Sequence, residues 1–390
     1  GGELMGILKF EFIKIFKNKS FIGAGIIILM SLFALFYIQF FNSQLTGGHS
    51  SLDSRSSIER NLNFAKEYQG ELTDGKVKTI VSDYLDIYRE KTLAKRDYFD
   101  YFQWAVVDTF TVPSRNENIY NKMLEAIEKK EPYTIDQVNL LSMKEVGFKK
   151  TDFPIKIGNF KTWSDLFKVT AGAFIPVALF VILFCSLLFA NDTTKNILPL
   201  LLSTRYGRTK MISSKLLVGT LLTIGTFLMV QGIILVVFGS YYGFSGWDVS
   251  VQANLDLKIF DFPLGWTNLQ AYLFGLAFHL IGLLFIAGIT MFISSLSGSP
   301  FSALAISLGI FFLPQVLTNV FLAGIPNKIL YLFPINTMSI DKVMLWMSRD
   351  NLFFFHSFLA NIALTVGVMF VLKIVFDGVT YFRMKRLSVA

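Results

Sequence analysis

The chain has 390 residues, of which 53% are hydrophobic, 15% aromatic and only 16% charged, with a formal net charge of +8. Soluble domains carry about 25% charged residues, so this composition excludes an ordinary soluble enzyme. A basic excess by itself would suit nucleic acid, but here the cations flank apolar runs, which assigns them to a membrane surface and not to nucleic acid.

Taken in chain order, Gly1-Gly2-Glu3-Leu4 precede Met5 and read as a cloning scar (1–4). Residues 5–20 are expected to form a cytoplasmic amphipathic helix, with Ile7, Leu8, Phe12, Ile15 and Phe16 gathered on one side and lysines along its edge. Residues 21–41 are the first of six stretches long and apolar enough to span a bilayer; the others are 169–190, 216–238, 268–293, 301–322 and 354–376. Each should be helical, because hydrocarbon tolerates no unpaired backbone group. No small-residue cleavage site follows the first stretch, so it reads as a span and not a signal peptide. The expected fold class is therefore an all-α membrane protein with six transmembrane helices.

Between the first two spans lies an insert, 42–165, which holds 19 of the 28 acidic residues. It is expected to be an extracellular, mostly helical domain, followed by a transmembrane domain over 166–390. Val77, Ile80, Val81, Tyr84 and Tyr88 fall at helical spacing behind the cap candidates Thr73 and Asp74. Ile58, Leu62 and Ala65 share a face, and so do Met123, Leu124 and Ile127. Tyr98, Phe99, Tyr101, Phe102 and Trp104 form an aromatic run that fits a domain core, a membrane-surface anchor or an apolar ligand site. Further on, 324–351 contains two apolar clusters too short to span, and reads as two short helices that re-enter the outer leaflet or as an ordinary loop.

Charge sets the orientation. Lys9, Lys14, Lys17 and Lys19 precede the first span, against Glu11. Lys195, Arg205, Arg208, Lys210 and Lys215 separate the second and third, against Asp192. Arg383, Lys385 and Arg386 follow the sixth. The insert is near neutral, and the loop after the third span carries Asp248, Asp256 and Asp261 against Lys258. The excess of cations on one side places both termini in the cytoplasm of a multi-pass cell-membrane protein and the insert outside.

Catalytic signatures are missing. There is no phosphate-binding glycine loop, since Asp74-Gly75-Lys76 lacks the upstream glycine and the following hydroxyl. His49, His279 and His356 have no metal-ligand spacing, and the single cysteine, Cys185, sits in an apolar run. No catalytic residue, metal or cofactor is expected on this chain. His279, inside the fourth span, fits either a packed neutral histidine or a role in gating or the substrate path. Lys373 and Asp377, one turn apart, fit a structural ion pair.

The stretch from Phe189 to Lys215 carries the functional signal. An acid and hydroxyls (Asn191, Asp192, Thr193, Thr194) and Lys195 lead into a short leucine-rich helix containing Leu198 and Leu202. Arg205, Arg208 and Lys215 follow. This is an amphipathic helix-turn between two spans, suited to dock into a groove on a partner. It resembles the intracellular loop of ABC-2 type exporter permeases: Phe189-Ala190, Asp192, Leu198 to Leu202, Ser203-Thr204-Arg205 and Lys215 occupy the positions of that family's pattern. Asp192 stands where the family more often has glutamate, and Thr194 to Asn196 where it has a glycine-threonine pair. The resemblance covers the six-span frame and not the insert, which occurs in a subset of such permeases.

The resemblance implies the membrane subunit of an ATP-driven exporter. Separate ABC ATPase subunits, which hold ATP and Mg, would push on 191–202 through a coupling helix. The subunit would pair with a second permease copy or a related permease, with membrane lipid around it. The cargo would be hydrophobic or amphipathic: a peptide, an antibiotic or a lipid-like molecule. A rival function is a non-transporting sensor or immunity protein that binds a peptide through the insert. A polytopic membrane enzyme would need acids, histidines or a Ser/Lys pair clustered at one depth, and none is evident.

Overall fold

A computed structural model describes residues 2–46, 53–90, 100–112, 118–349 and 352–387. His49, Tyr98 and Phe99 lie outside them. The helices run α1 (Gly2–Phe16), α2 (Lys19–Phe36), α3 (Ser54–Glu67), α4 (Asp74–Glu90), α5 (Tyr101–Phe110), α6 (Ile119–Lys129), α7 (Met143–Val146) and α8 (Lys161–Thr194). They continue as α9 (Leu198–Ser203), α10 (Ile212–Tyr241), α11 (Asn268–Leu296), α12 (Pro300–Leu317), α13 (Gly324–Leu330), α14 (Ile340–Ser348) and α15 (Phe358–Arg386). Among the described residues the only sheet is an antiparallel ribbon of β1 (Gly70–Glu71) and β2 (Lys156–Ile157). The protein is thus all-α, and six helices are long and apolar enough to cross a membrane: Lys19–Phe41, Lys161–Thr194, Gly207–Tyr241, Asn268–Leu296, Pro300–Leu317 and Phe358–Arg386. α1 starts at Gly2, inside the stretch set aside as a scar. At about 1.5 Å per residue, the 34 residues of α8 make a rod of about 51 Å, well beyond a hydrocarbon core of about 30 Å.

The described residues form two compact units. The first comprises residues 1–34, 170–235 and 274–390. Small side chains let its helices close up, the usual device where lipid supplies no hydrophobic drive between helices. Ala190, Ile293 and Ala303 pack together where α8, α11 and α12 meet. On α10, a Cβ at Gly219 would fall 2.4 Å from Met291 Sδ and 3.0 Å from Leu188 Cδ1, so a larger residue there would force the Met291 side chain to shift. Hydroxyls inside the spans donate to carbonyls one turn back, as Thr223 does to Gly219 (2.7 Å) and Thr365 to Asn361 (2.9 Å). Lys373 and Asp377 form their ion pair, and Lys373 Nζ also reaches Thr220 Oγ1 at 3.2 Å. The segment expected as two short helices contains α13, a 3₁₀ turn at Pro334–Asn336, and α14. Buried Asn361 ties it down by donating to Met347 O (2.9 Å) and Phe355 O (2.8 Å).

The second unit comprises residues 35–169 and 236–273. Sequence alone set 42–165 apart as a domain; this unit also takes in the connection between α10 and α11. Asp53 caps α3 by accepting from Ser56 N–H, and Asp100 caps α5 through Gln103 N–H. The predicted apolar faces turn inward: Ile58 and Ala65 on α3, and Val77, Ile80, Val81 and Tyr84 on α4, are buried. On α6 Met123 is buried while Ile127 is exposed. Of the described part of the aromatic run, Tyr101 and Phe102 are buried, and Phe102 stacks on Tyr68 with centroids 6.1 Å apart. These two residues serve as core. A buried polar set, which no motif announced, crosses this unit: Lys161 pairs with Asp165 (3.1 Å) and Asp256 (3.0 Å), Ser43 donates to Asp165 (2.7 Å), and Tyr101 donates to Asp256 (2.6 Å).

Candidate coupling site

The end of α8 is shaped by its last turn. Ser294 Oγ accepts from Phe189 N–H (3.2 Å) and Ala190 N–H (3.1 Å) and donates to Ser186 O (2.8 Å), joining α8 to α11. Asn196 then adopts φ +55°, with its N–H on Thr193 O (3.0 Å) and Ile197 N–H on Asp192 O (3.1 Å). That pair of bonds is a Schellman termination, and its left-handed residue is normally glycine or asparagine. α9 follows, buries Leu198 and Leu202, and leaves Leu200 68% exposed. Gly207 closes the turn beneath it: a Cβ there would meet Leu201 O at 1.8 Å.

Inside this turn sits a cluster of four charges. Lys215, at the start of α10, and Asp192, near the end of α8, are both 0% exposed, and Glu11 of α1 is 2% exposed. Lys215 Nζ stands 2.7 Å from Asp192 Oδ2, 3.0 Å from Glu11 Oε2 and 2.7 Å from the carbonyl of Leu188. Lys14 Nζ pairs with Asp192 Oδ1 and lies 3.8 Å from Glu11 Oε2. Two cations and two anions balance, which is the condition under which buried charges are tolerated. Burial, and then the neighbouring Lys215 ammonium, hold the Lys14 ammonium below its usual range.

The predicted coupling residues therefore divide. Asp192, Leu198, Leu202 and Lys215 face inward. Thr194, Lys195 and Arg205 face outward, and Asn191, Thr193 and Arg208 are half-buried. Thr194 Oγ1 also reaches Gly298 O at 3.0 Å, and Arg208 donates to Lys385 O (3.1 Å), at the carbonyl end of α15. Glu11 and Lys14 were not among the predicted site residues. Their signal was present: Glu11 is a lone acid between Ile7 and Ile15 on one helical row of an otherwise basic segment.

His279 is 2% exposed, with Nε2 2.7 Å from Met338 O and its ring 4.9 Å from that of Phe174. It ties α11 to the loop before α14. Nearby, Thr290 and Ser307 line a cavity of about 20 Å³ between α11 and α12, room for about one water and far below any cargo.

The family profile described as ABC-2 family transporter protein matches residues 5–360. No curated protein and no solved structure matches the chain. The six apolar helices, the helix-turn between the second and third of them, and a match over nearly the whole length agree, and the chain belongs to the ABC-2 transporter family, as a multi-pass membrane permease of an ABC transporter.

Proposed function

We propose that this permease belongs to an exporter of the cell membrane, paired with a second permease and driven by separate ATPase chains that carry ATP and Mg and grip the outward face of 194–205. The observation that carries this is the two-sidedness of the element. Lys195, Leu200 and Arg205 form a basic rim around an apolar tip on the surface, while the same turn is fixed from within by Asp192, Lys215, Glu11 and Lys14. An ATPase that closes on the tip displaces the turn as a rigid piece and drives α1, α8 and α10 with it. Asp192 and Lys215 then act as positioning residues and do not touch the ATPase.

The positive-inside pattern supports placing this turn and both termini in the cytoplasm, with the second unit outside. The ionisable groups described deep within the spans are engaged: Lys373 and Asp377 neutralise each other, and His279 is hydrogen-bonded. That favours a hydrophobic or amphipathic cargo. Co-purification with the ATPase tests the proposal. Leu200→Asp and Arg205→Ala should leave the fold intact and lose most of the ATPase; full recovery in both would overturn it.

A further inference from the structure

The second unit holds a cleft of about 760 Å³ between the β1–β2 ribbon and the loop that follows α7. Its size falls within the range of small-ligand sites, about 300–1,000 Å³. Its walls are braced. The Phe148 ring stacks between Phe110 (6.0 Å) and Phe260 (4.8 Å), and Thr151 donates to Phe153 O at 2.7 Å. Phe153 and Pro154 complete an apolar side.

The charges along the cleft are unevenly committed. Asp74 accepts from Met143 N–H at 2.7 Å, while Glu71, at the ribbon side, is exposed and has no ion-pair partner among the described residues. Glu145, next to the cleft, is held by Ser142, whose N–H and hydroxyl each donate to it at 2.7 Å. Lys144, Lys149 and Lys150 also line the cleft, are exposed, and have no ion-pair partner among the described residues. The lining thus offers three free ammonium groups beside fixed aromatic and proline surface.

We propose that this cleft binds an acidic peptide segment, with carboxylates on Lys144, Lys149 and Lys150 and an aromatic or aliphatic side chain against Phe153 and Pro154. The apolar surface lies inside a concavity, with Phe148 buried and Phe153 half-buried, so a flat lipid surface could not reach it. Among the described residues no arginine lines the cleft to fork a phosphate, whereas lysines suit carboxylates as point charges. The site stands apart from the ATPase-docking proposal and holds or fails without it.

The test uses the full chain in nanodiscs of neutral phosphatidylcholine and a fluorescein-labelled hexapeptide, Glu-Asp-Phe-Glu-Asp-Leu. The wild type should bind it, and more weakly as salt rises. The triple variant Lys144→Glu/Lys149→Glu/Lys150→Glu changes only exposed side chains and should weaken binding by about tenfold or more. A peptide with serine in place of Phe and Leu should also bind several-fold more weakly. The proposal is overturned by no binding to the wild type, by equal binding to the triple variant, by equal binding of the serine peptide, or by phosphatidylglycerol vesicles displacing the peptide from the wild type.

Discussion

Replacing Asp192 by Asn removes one of the two anions in the cluster while keeping its shape. Lys14 and Lys215 then share Glu11 alone, and Lys215 has no access to water. One charge pair at about 3 Å amounts to about 5 kcal/mol at an effective dielectric of about 20. After relaxation, breaking a buried pair costs about 3–5 kcal/mol. At about 2–4 °C per kcal/mol that lowers the melting temperature by about 6–20 °C. The chain provides its own probe: the single cysteine, Cys185, is buried on α8 two turns from Asp192 and becomes reactive to a fluorogenic maleimide as the helices separate. Lys215→Met should destabilise similarly. The double variant leaves Glu11 paired with Lys14 and should melt above either single one, which requires a coupling of about 3 kcal/mol or more. Lys195→Ala, on the exposed face, should move the midpoint by less than about 2 °C. Strict additivity of the two single effects, or an Asp192→Asn midpoint within about 2 °C of wild type, would refute the clustered-charge account.

Three further outcomes follow from the geometry. Asn196→Gly keeps the left-handed residue of the Schellman turn and should preserve ATPase recovery, whereas Asn196→Val costs about 1–2 kcal/mol at that φ and should lower it. Gly207→Ala drives a methyl group into the Leu201 carbonyl and should reduce ATPase recovery more than it lowers the melting point. Asp100 is buried, which pushes its carboxyl up to about 7 despite the bond from Gln103 N–H and the nearby Arg60. With the folded value above the unfolded one, this group costs stability as pH rises from about 4 to about 7, and the cost is constant above that. Asp100→Asn should therefore gain on wild type by up to about 3 kcal/mol between pH 5 and pH 8; an unchanged difference in melting point across that range would remove the assignment.

The spans were legible because hydrocarbon imposes one rule, about 20 apolar residues in helical conformation, that composition alone reveals. The helix-turn between α8 and α10 was legible for a related reason: a leucine-rich piece too short to span, flanked by cations, has few other uses. What stayed hidden was the inward side of that turn. Asp192 and Lys215 lie 23 residues apart, Glu11 lies far upstream, and nothing local says that three helices bring them together. The same limit applied in the second unit, where Asp256 comes from the connection between α10 and α11 and pairs with Lys161 of α8. Long-range charge pairing leaves little trace in periodicity, because each partner looks like an ordinary polar residue until its burial is known.

An ATPase in the cytoplasm can grip the 194–205 surface only if that surface faces the cytoplasmic side of the membrane. With Cys185 replaced by serine, single cysteines at Lys195, Leu200 and Arg205 can be challenged in intact cells with a membrane-impermeant maleimide, alongside a control at Lys150 in the cleft unit. All three should stay unlabelled until the cells are permeabilised, and should then be shielded by the ATPase, while the Lys150 position reacts from outside. Labelling of the three positions in intact cells, at the rate of that control, would put the proposed grip on the wrong face and contradict the account.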